Sequence, residues 1–181
     1  MNLSDITFNT NTGETIGREL LIAYLNTGTS ESAKWCPIGK RVEDSSEEID
    51  WGEETAQDIL GRTYTKLKKP TITQTFDPCD LDSGDEAQMK IWNLAIKEQN
   101  APALSNMDML IVHLYAGTKG SAFAERYSAC AVKPSSLGGS GGGNIGLPLD
   151  VTYGGERTTG TASITNGSVK FTPDTGGVTN A

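Results

Sequence analysis

Residues 109–133 read Met109-Leu-Ile-Val-His-Leu-Tyr-Ala-Gly-Thr-Lys-Gly-Ser-Ala-Phe-Ala-Glu-Arg-Tyr-Ser-Ala-Cys-Ala-Val-Lys133. Two runs rich in apolar, β-branched and aromatic residues flank the turn-forming Gly117-Thr-Lys-Gly120, which predicts two strands joined by a turn. The chain's only histidine, His113, alternates with apolar residues inside the first run. We therefore interpret it as a core or interface histidine rather than a general base.

Other strands are predicted on both sides of this pair. Residues 19–26 are apolar on both faces, so we expect both faces to be covered. Residues 35–42 are interrupted by Pro37 and Gly39, which is typical of a sheet edge or a bulge. Residues 71–76 alternate threonines with Ile72, Gln74 and Phe76, as expected for a strand with one wetted face. Asn166-Gly167 is a strong hairpin signal between the last two predicted strands.

One helix is predicted, over residues 84–99. Ser83 and Glu86 have the spacing of a capping box, and Ala87, Ile91 and Leu94 recur at helical spacing. The sequence thus predicts a mainly β fold, a β-sandwich or barrel with one flanking α-helix. We expect a single domain at 18–172 that contains a Gly/Ser loop at 137–143, with a flexible amino-terminal arm at 1–17 and a carboxyl-terminal tail at 173–181.

Composition excludes several classes of function. The 181 residues carry a formal net charge of −8 with a pI near 4.6, which repels phosphate and disfavours tight binding of nucleic acid. Cys36, Cys79 and Cys130 are odd in number and widely spaced, which indicates reduced thiols and synthesis in a reducing cytoplasm. The apolar runs are too short to span a bilayer, so we expect no membrane partner.

The residues between 43 and 58 are strongly acidic. This segment contains no lysine or arginine and eight carboxylates: Glu43, Asp44, Glu47, Glu48, Asp50, Glu53, Glu54 and Asp58. Ile49, Trp51 and Ile59 lie among them, whereas a purely solvated segment would lack such side chains. We predict a projecting loop or hairpin over residues 43–61 that orders against another protein, with Ile49, Trp51, Ile59 and Leu60 as apolar contacts. A solvated loop is the alternative.

Three motifs that could carry chemistry have simpler interpretations. Gly138-Gly-Ser-Gly-Gly142 has the spacing of a nucleophile elbow, but no helix pattern follows and no histidine lies downstream. The glycines at 141, 143 and 146 match a dinucleotide spacing without the required helix. The acids at 80, 82, 85 and 86 lack the order of a calcium loop and suit a helix start. We therefore predict no catalytic residue, no metal and no cofactor.

The order of elements resembles the major tail tube proteins of long-tailed bacteriophages. The resemblance runs from Gly17-Arg-Glu-Leu-Leu-Ile-Ala-Tyr-Leu25 through a charged excursion that ends in Asp58-Ile-Leu-Gly61. It continues through residues 71–78, one helix and paired strands that end near Pro134. It closes on Leu147-Pro-Leu-Asp-Val-Thr-Tyr-Gly-Gly-Glu-Arg-Thr-Thr-Gly160.

This resemblance implies a structural virion protein of the phage tail, assembled in the host bacterial cytoplasm. Copies would form hexameric rings that stack into a tube, with tape-measure protein, tail terminator and baseplate or distal tail proteins as partners. Double-stranded DNA would pass without specific binding, and the eight acids would supply loop or lumen charge. Two alternatives stay open: another virion component such as a neck, terminator or decoration protein, and a monomeric β-sandwich binding module.

Overall fold

A computed structural model of the chain describes residues 6–118 and 120–174 and is mainly β. The strands are β1 (Leu21–Asn26), β2 (Trp35–Ile38), β3 (Glu47–Asp50), β4 (Glu54–Gln57), β5 (Thr63–Lys66), β6 (Thr71–Phe76), β7 (Met107–Thr118), β8 (Ser121–Pro134), β9 (Leu149–Tyr153), β10 (Arg157–Thr165) and β11 (Ser168–Pro173). The predicted strands at 109–133 are confirmed as the long antiparallel pair β7 and β8. Lys119, inside their predicted turn, lies outside the described residues.

Strand β8 is the element that divides the sheet. One edge of β8 pairs with β7, which continues through β1 to β2. The other edge pairs first with β10, along Ala122 to Tyr127, and then with β9, along Ala131 to Pro134. One branch therefore continues into β11, and the other continues through β6 to β3. All of these pairings are antiparallel.

Two hydrophobic cores lie on the two faces of β1, β7 and β8. The larger contains Leu25, Met109 and Ile111 together with residues of β6, β9 and the helix. The smaller contains Tyr24, Leu110 and residues of β10 and β11. Both faces of β1 are covered, as its apolar alternation predicts. Trp35 of β2 and Val169 of β11 share the smaller core although their strands end opposite branches, so the sheet curls towards a barrel.

The predicted helix exists, with a different cap. Helix α1 (Glu86–Trp92) continues as a π-helical segment (Asn93–Lys97), and Ile91 is fully buried in the larger core. The side chain that accepts the N-terminal amide is that of Asp85, which bonds to Gln88 N at 3.0 Å. The capping box predicted from Ser83 is therefore wrong, because the helix begins two residues later. A short helix α2 (Ala101–Leu104) follows.

Turn and edge predictions are confirmed in detail. Asn166 and Gly167 both have positive φ, at 51° and 78°, and close the β10–β11 hairpin, as a type I′ turn requires. Pro37 lies in β2, which ends one branch of the sheet. In β6 the even-numbered side chains are the more buried, and Phe76 reaches the core.

The ends of the chain are only partly described. Residues 1–5 of the predicted arm and 175–181 of the predicted tail lie outside the described residues. Within the arm, Phe8 bridges Ala116, and Asn9 N donates to the Tyr115 carbonyl at 2.9 Å. The flexibility of the arm stays a prediction. No helix within the described ranges has the length and apolarity needed to cross a bilayer.

Candidate assembly surface

The most unusual surface feature is a hairpin made by β4 and β5. These two strands form a sheet separate from the main one, and all eight of their residues are exposed. The ladder continues towards the body of the protein, where Lys68 N donates to the Trp51 carbonyl at 2.8 Å. We call residues 51–68 the arm hairpin. The acidic segment thus contributes strand β3 to the main sheet and one strand to this hairpin.

The tip of the arm hairpin is held by Asp58. Its Oδ1 accepts from Leu60 N at 2.9 Å and from Arg62 N at 2.8 Å, and Asp58 N donates to the Arg62 carbonyl. Gly61 completes the turn with a φ of 75°. An Asx side chain that bonds to its own following backbone organises a turn locally. The turn therefore exposes Ile59 and Leu60, the two aliphatic residues that it encloses.

The four predicted apolar contact residues lie in two places. Ile59 is fully exposed and Leu60 is 70% exposed at the tip. Ile49 and Trp51 are about half exposed at the base, where β3 leads into the arm hairpin. These pairs lie at opposite ends of the hairpin, so a single contact patch within one copy does not contain all four.

The structure also separates the eight acids. Five of them lie in or beside β3: Glu43, Asp44, Glu47, Glu48 and Asp50. The other three, Glu53, Glu54 and Asp58, belong to the arm hairpin, whose returning strand and exit carry four basic side chains: Arg62, Lys66, Lys68 and Lys69. Glu54 faces Lys66 in the ladder and forms an ion pair with Lys68. The hairpin is therefore close to charge balance, because its strands carry opposite signs.

The sequence contained the signal for this balance. The basic residues begin at Arg62, immediately after the Gly61 turn. Acid and base on the two sides of a turn indicate cross-strand pairing. The acidic segment, as defined over residues 43–58, ends before Arg62 and so leaves out the basic strand with which it pairs.

A groove of about 780 Å³ opens at the base of the arm hairpin. Its walls come from β3, β6 and the junction of β8, β9 and β10. The apolar lining consists of Ile49, Trp51, Pro70, Ile72, Tyr127 and Tyr153. We call this surface the base groove. It was missed by sequence reasoning because its walls come from two distant parts of the chain, residues 49–72 and 125–157.

A charged network forms the polar part of the base groove. Glu125 accepts hydrogen bonds from Arg157 Nε at 2.6 Å and Tyr127 OH at 2.9 Å, and its Oε1 lies 3.0 Å from His113 Nε2. Burial raises the pKa of Glu125, but the hydrogen bonds from His113 and Arg157 outweigh it and lower the pKa to about 2. Burial and the neighbouring Glu125 raise the pKa of Tyr127. The network is thus an anchored ion pair that joins β8 to β10.

Glu47 is the acid of the predicted set whose carboxylate is partly buried by its surroundings. Its Oε1 is buried without a hydrogen-bond partner in the described residues. Burial raises its pKa, and the negative charge of Glu125 adds to this, while His113 and Arg18 oppose it. A half-buried carboxylate in this position destabilises the fold when it is charged.

The motifs that suggested chemistry have other partners. His113 places its ring nitrogens beside Tyr115 OH and Glu125, whereas Ser140 lies in an exposed loop. Near the helix start, Asp82 pairs with Lys40 at 2.5 Å, Glu86 pairs with Lys34, and Asp85 caps the helix. Over residues 6–118 and 120–174 there is no cluster of three or more metal-ligating side chains. Cys36, Cys79 and Cys130 are free thiols.

Comparison with known proteins yields only distant similarities. No family model matches the chain, and no curated protein matches it. Among solved structures it is similar to a chain of the anti-feeding prophage cap, described as the AFP tube terminating cap, with a TM-score of 0.46 and 16% identity over 85% of this chain and 96% of that chain.

Two further similarities are to chains of an extracellular contractile injection system. A chain of the PVC sheath-tube complex in the extended state gives a TM-score of 0.46 and 12% identity over 83% of this chain and 94% of that chain. A chain of the PVC sheath/tube terminator in the extended state gives a TM-score of 0.45 and 12% identity over 82% of this chain and 99% of that chain. At these values the function has to be argued from the surfaces described above.

Proposed function

We propose that this chain is a structural tail protein whose copies assemble into stacked hexameric rings that form the tail tube of a phage or phage-like particle. The observation that carries the proposal is the arm hairpin with its exposed Ile59 and Leu60. An isolated two-stranded hairpin is marginally stable in water. Burying each of these aliphatic side chains against a partner is worth about 1.5–3 kcal/mol.

The partner that we propose for the arm hairpin is another copy of this chain. A contact between a projection on one copy and a different surface on the next is heterologous, and such contacts close into rings or continue as helical stacks. The end strands β2, β3 and β11 offer further edges for pairing between copies. The number six is taken from the resemblance to tail tube proteins.

The charge distribution supports a conduit. The net charge of −8 includes the five acids in or beside β3. Unlike the acids of the arm hairpin, these five have no basic strand opposite them: β3 pairs with β6, which contains no lysine or arginine. An acidic lumen would repel the phosphates of passing double-stranded DNA and so avoid retaining it. In this proposal the tape-measure protein occupies the lumen before ejection. The tail terminator and the baseplate or distal tail proteins bind the two ends, and assembly takes place in the bacterial cytoplasm.

Light scattering after size exclusion, followed by negative-stain microscopy, tests the proposal. We expect rings or tubes of uniform width from the purified chain at high concentration. The variant Ile59→Asp with Leu60→Asp should stay monomeric, whereas the matched variant Leu137→Asp with Ile145→Asp should assemble, since it alters two exposed aliphatic residues outside the hairpin. A chain that stays monomeric under all conditions would contradict the proposal. Single closed rings that never stack would favour a terminator or neck protein.

A monomeric binding module is the second candidate, and the base groove is the observation that favours it. Aromatic side chains in a concave surface are typical of ligand sites, and Trp51, Tyr127 and Tyr153 line this groove. Saturable binding of a soluble sugar or peptide to a monomer, lost in Trp51→Ala, would favour this function.

A further inference from the structure

We propose that the base groove is the receptor for the arm hairpin of the next copy, so that Ile59 and Leu60 of one molecule insert between β3 and the junction of β8, β9 and β10 of its neighbour. This inference rests on the proposed function and specifies the contact by which copies associate. It assigns the exposed tip of the arm hairpin and the apolar lining of the base groove to each other.

The hairpin tip cannot fill the groove of its own molecule. The groove is lined by Ile49, Trp51 and Lys69, which are the residues from which the arm hairpin departs. Asp58 lies seven residues along the chain from Trp51, which in extended backbone is a length of roughly 20 Å. Cross-strand hydrogen bonds along β4 and β5 prevent the arm hairpin from folding back on itself. The tip therefore reaches only the groove of a different copy.

The two surfaces are complementary in chemistry. The tip presents two aliphatic side chains between Asp58 and Arg62. The groove offers Ile49, Trp51 and Ile72 together with the partly buried pair Arg157 and Glu125. A volume of about 780 Å³ lies in the range of sites that enclose a ligand. Both surfaces thus combine an apolar centre with charges of both signs, as interface centres and rims do.

The contact has a direction. Each copy inserts the tip of its arm hairpin into one neighbour and binds the tip of another neighbour in its base groove. The same contact therefore repeats without a two-fold axis. An assembly built in this way is polar, with free tips at one end and empty base grooves at the other. The two ends therefore need different capping proteins.

Disulfide trapping between copies tests the contact. In a Cys36→Ser background, which leaves two buried native thiols, one protein carries Leu60→Cys and a second carries Thr71→Cys at the exposed rim of the groove. We expect the mixture, oxidised after assembly, to yield a disulfide between the two introduced cysteines wherever a Leu60→Cys tip meets the groove of a Thr71→Cys copy. A mixture of Leu60→Cys with Ile145→Cys, a position that is also exposed but lies outside the groove, should yield at least about tenfold less.

A complementation experiment provides a second readout that does not depend on oxidation. Ile59→Asp removes the tip and leaves the groove, whereas Ile49→Asp alters the groove and leaves the tip; both positions are exposed. We expect neither protein to form assemblies of high mass alone. Their mixture should contain a one-to-one pair, because one intact tip meets one intact groove.

The outcomes separate this inference from the proposed function. Tubes or rings that form normally while the Leu60→Cys and Thr71→Cys pair cross-links no better than the control would overturn the groove assignment and leave the tube intact. Normal assembly of Ile49→Asp alone would do the same. A wild-type chain that never associates would overturn both.

Discussion

Asp58 and Arg62 close the tip of the arm hairpin through two reciprocal bonds, from Asp58 N to the Arg62 carbonyl at 2.9 Å and from Arg62 N to Asp58 Oδ1 at 2.8 Å. Four residues apart, they hold Ile59 and Leu60 in a single exposed arrangement. The acid at this position therefore acts through geometry as well as charge. Pre-organised loops bind with less loss of conformational entropy than loops that order on contact.

Replacing Asp58 should separate these two roles. Asp58→Ala removes the side-chain acceptor, and we expect the concentration at which assembly begins to rise about tenfold, because ordering the tip then costs about 1 kcal/mol or more. Asp58→Asn keeps an acceptor oxygen and should assemble nearly as the wild type does. Sedimentation over a concentration series measures both. Equal losses in the two variants would show that the charge matters instead.

Trp51 should behave as an interface anchor. Trp51→Ala is expected to raise the concentration needed for assembly by at least about tenfold, since truncating a central aromatic residue costs about 2 kcal/mol. Electron micrographs and sedimentation measure the effect, and Ile96→Ala, an exposed apolar residue on the helical segment, is the control. Unchanged assembly and tube length in Trp51→Ala would contradict the role assigned to this residue.

The hydrogen bonds that Glu125 accepts from His113 and Arg157 should stabilise the fold at neutral pH. The lowering of the Glu125 pKa from 4.5 to about 2 corresponds to about 3 kcal/mol. A carboxylate with a lowered pKa stabilises the folded state above its ordinary pKa and loses that contribution as the pH falls towards the lowered value. We expect Glu125→Gln to lose about 3 kcal/mol at pH 7, and the difference from wild type to shrink between about pH 4.5 and 2.

Urea denaturation at a series of pH values measures this difference. The control is Glu156→Gln, an exposed acid on the turn before Arg157. A Glu125→Gln variant whose deficit is the same at pH 7 and at pH 2 would indicate a packing defect and not the loss of a charged pair.

The charge of Glu47 should have the opposite effect on stability to that of Glu125. Its pKa is raised by burial, so its contribution to stability is greatest below its ordinary pKa of 4.5 and falls as the pH rises through the raised value. We expect Glu47→Gln to gain about 1 kcal/mol at pH 7, because a buried unpaired oxygen loses its charge. Glu48→Gln, its exposed neighbour, should change little. A loss of stability in Glu47→Gln would show that the charged form has a favourable partner.

Local features of the fold were accessible from sequence for definite reasons. The alternation of Tyr24 and Leu25 predicts two covered faces, and these residues do enter different cores. Asn166-Gly167 predicts a hairpin because both residues tolerate positive φ. The helix was found from its apolar spacing, while its cap was misplaced by two residues because Ser83 and Asp85 are both competent caps.

The candidate surface was less accessible. The sequence indicated that residues 43–61 project and that aliphatic residues lie among the acids, and residues 51–68 do form a hairpin. It did not indicate that residues 67–70 separate a hairpin strand, β5, from a strand of the main sheet, β6. Pro70 marks that break, because proline restricts the residue before it and cannot donate to a ladder.

The amino-acid order alone established the strand periods, the turns, the helix and the excess of acid, because each depends on side chains within a few residues of one another. The pairing of Glu125 with Arg157 spans 32 residues, and the base groove joins positions 49 and 157. Such contacts depend on which strands share the two halves of β8, and alternation within a strand carries no information about its neighbours. The tertiary structure therefore supplied the groove, the partly buried ion pair and the charge balance of the arm hairpin.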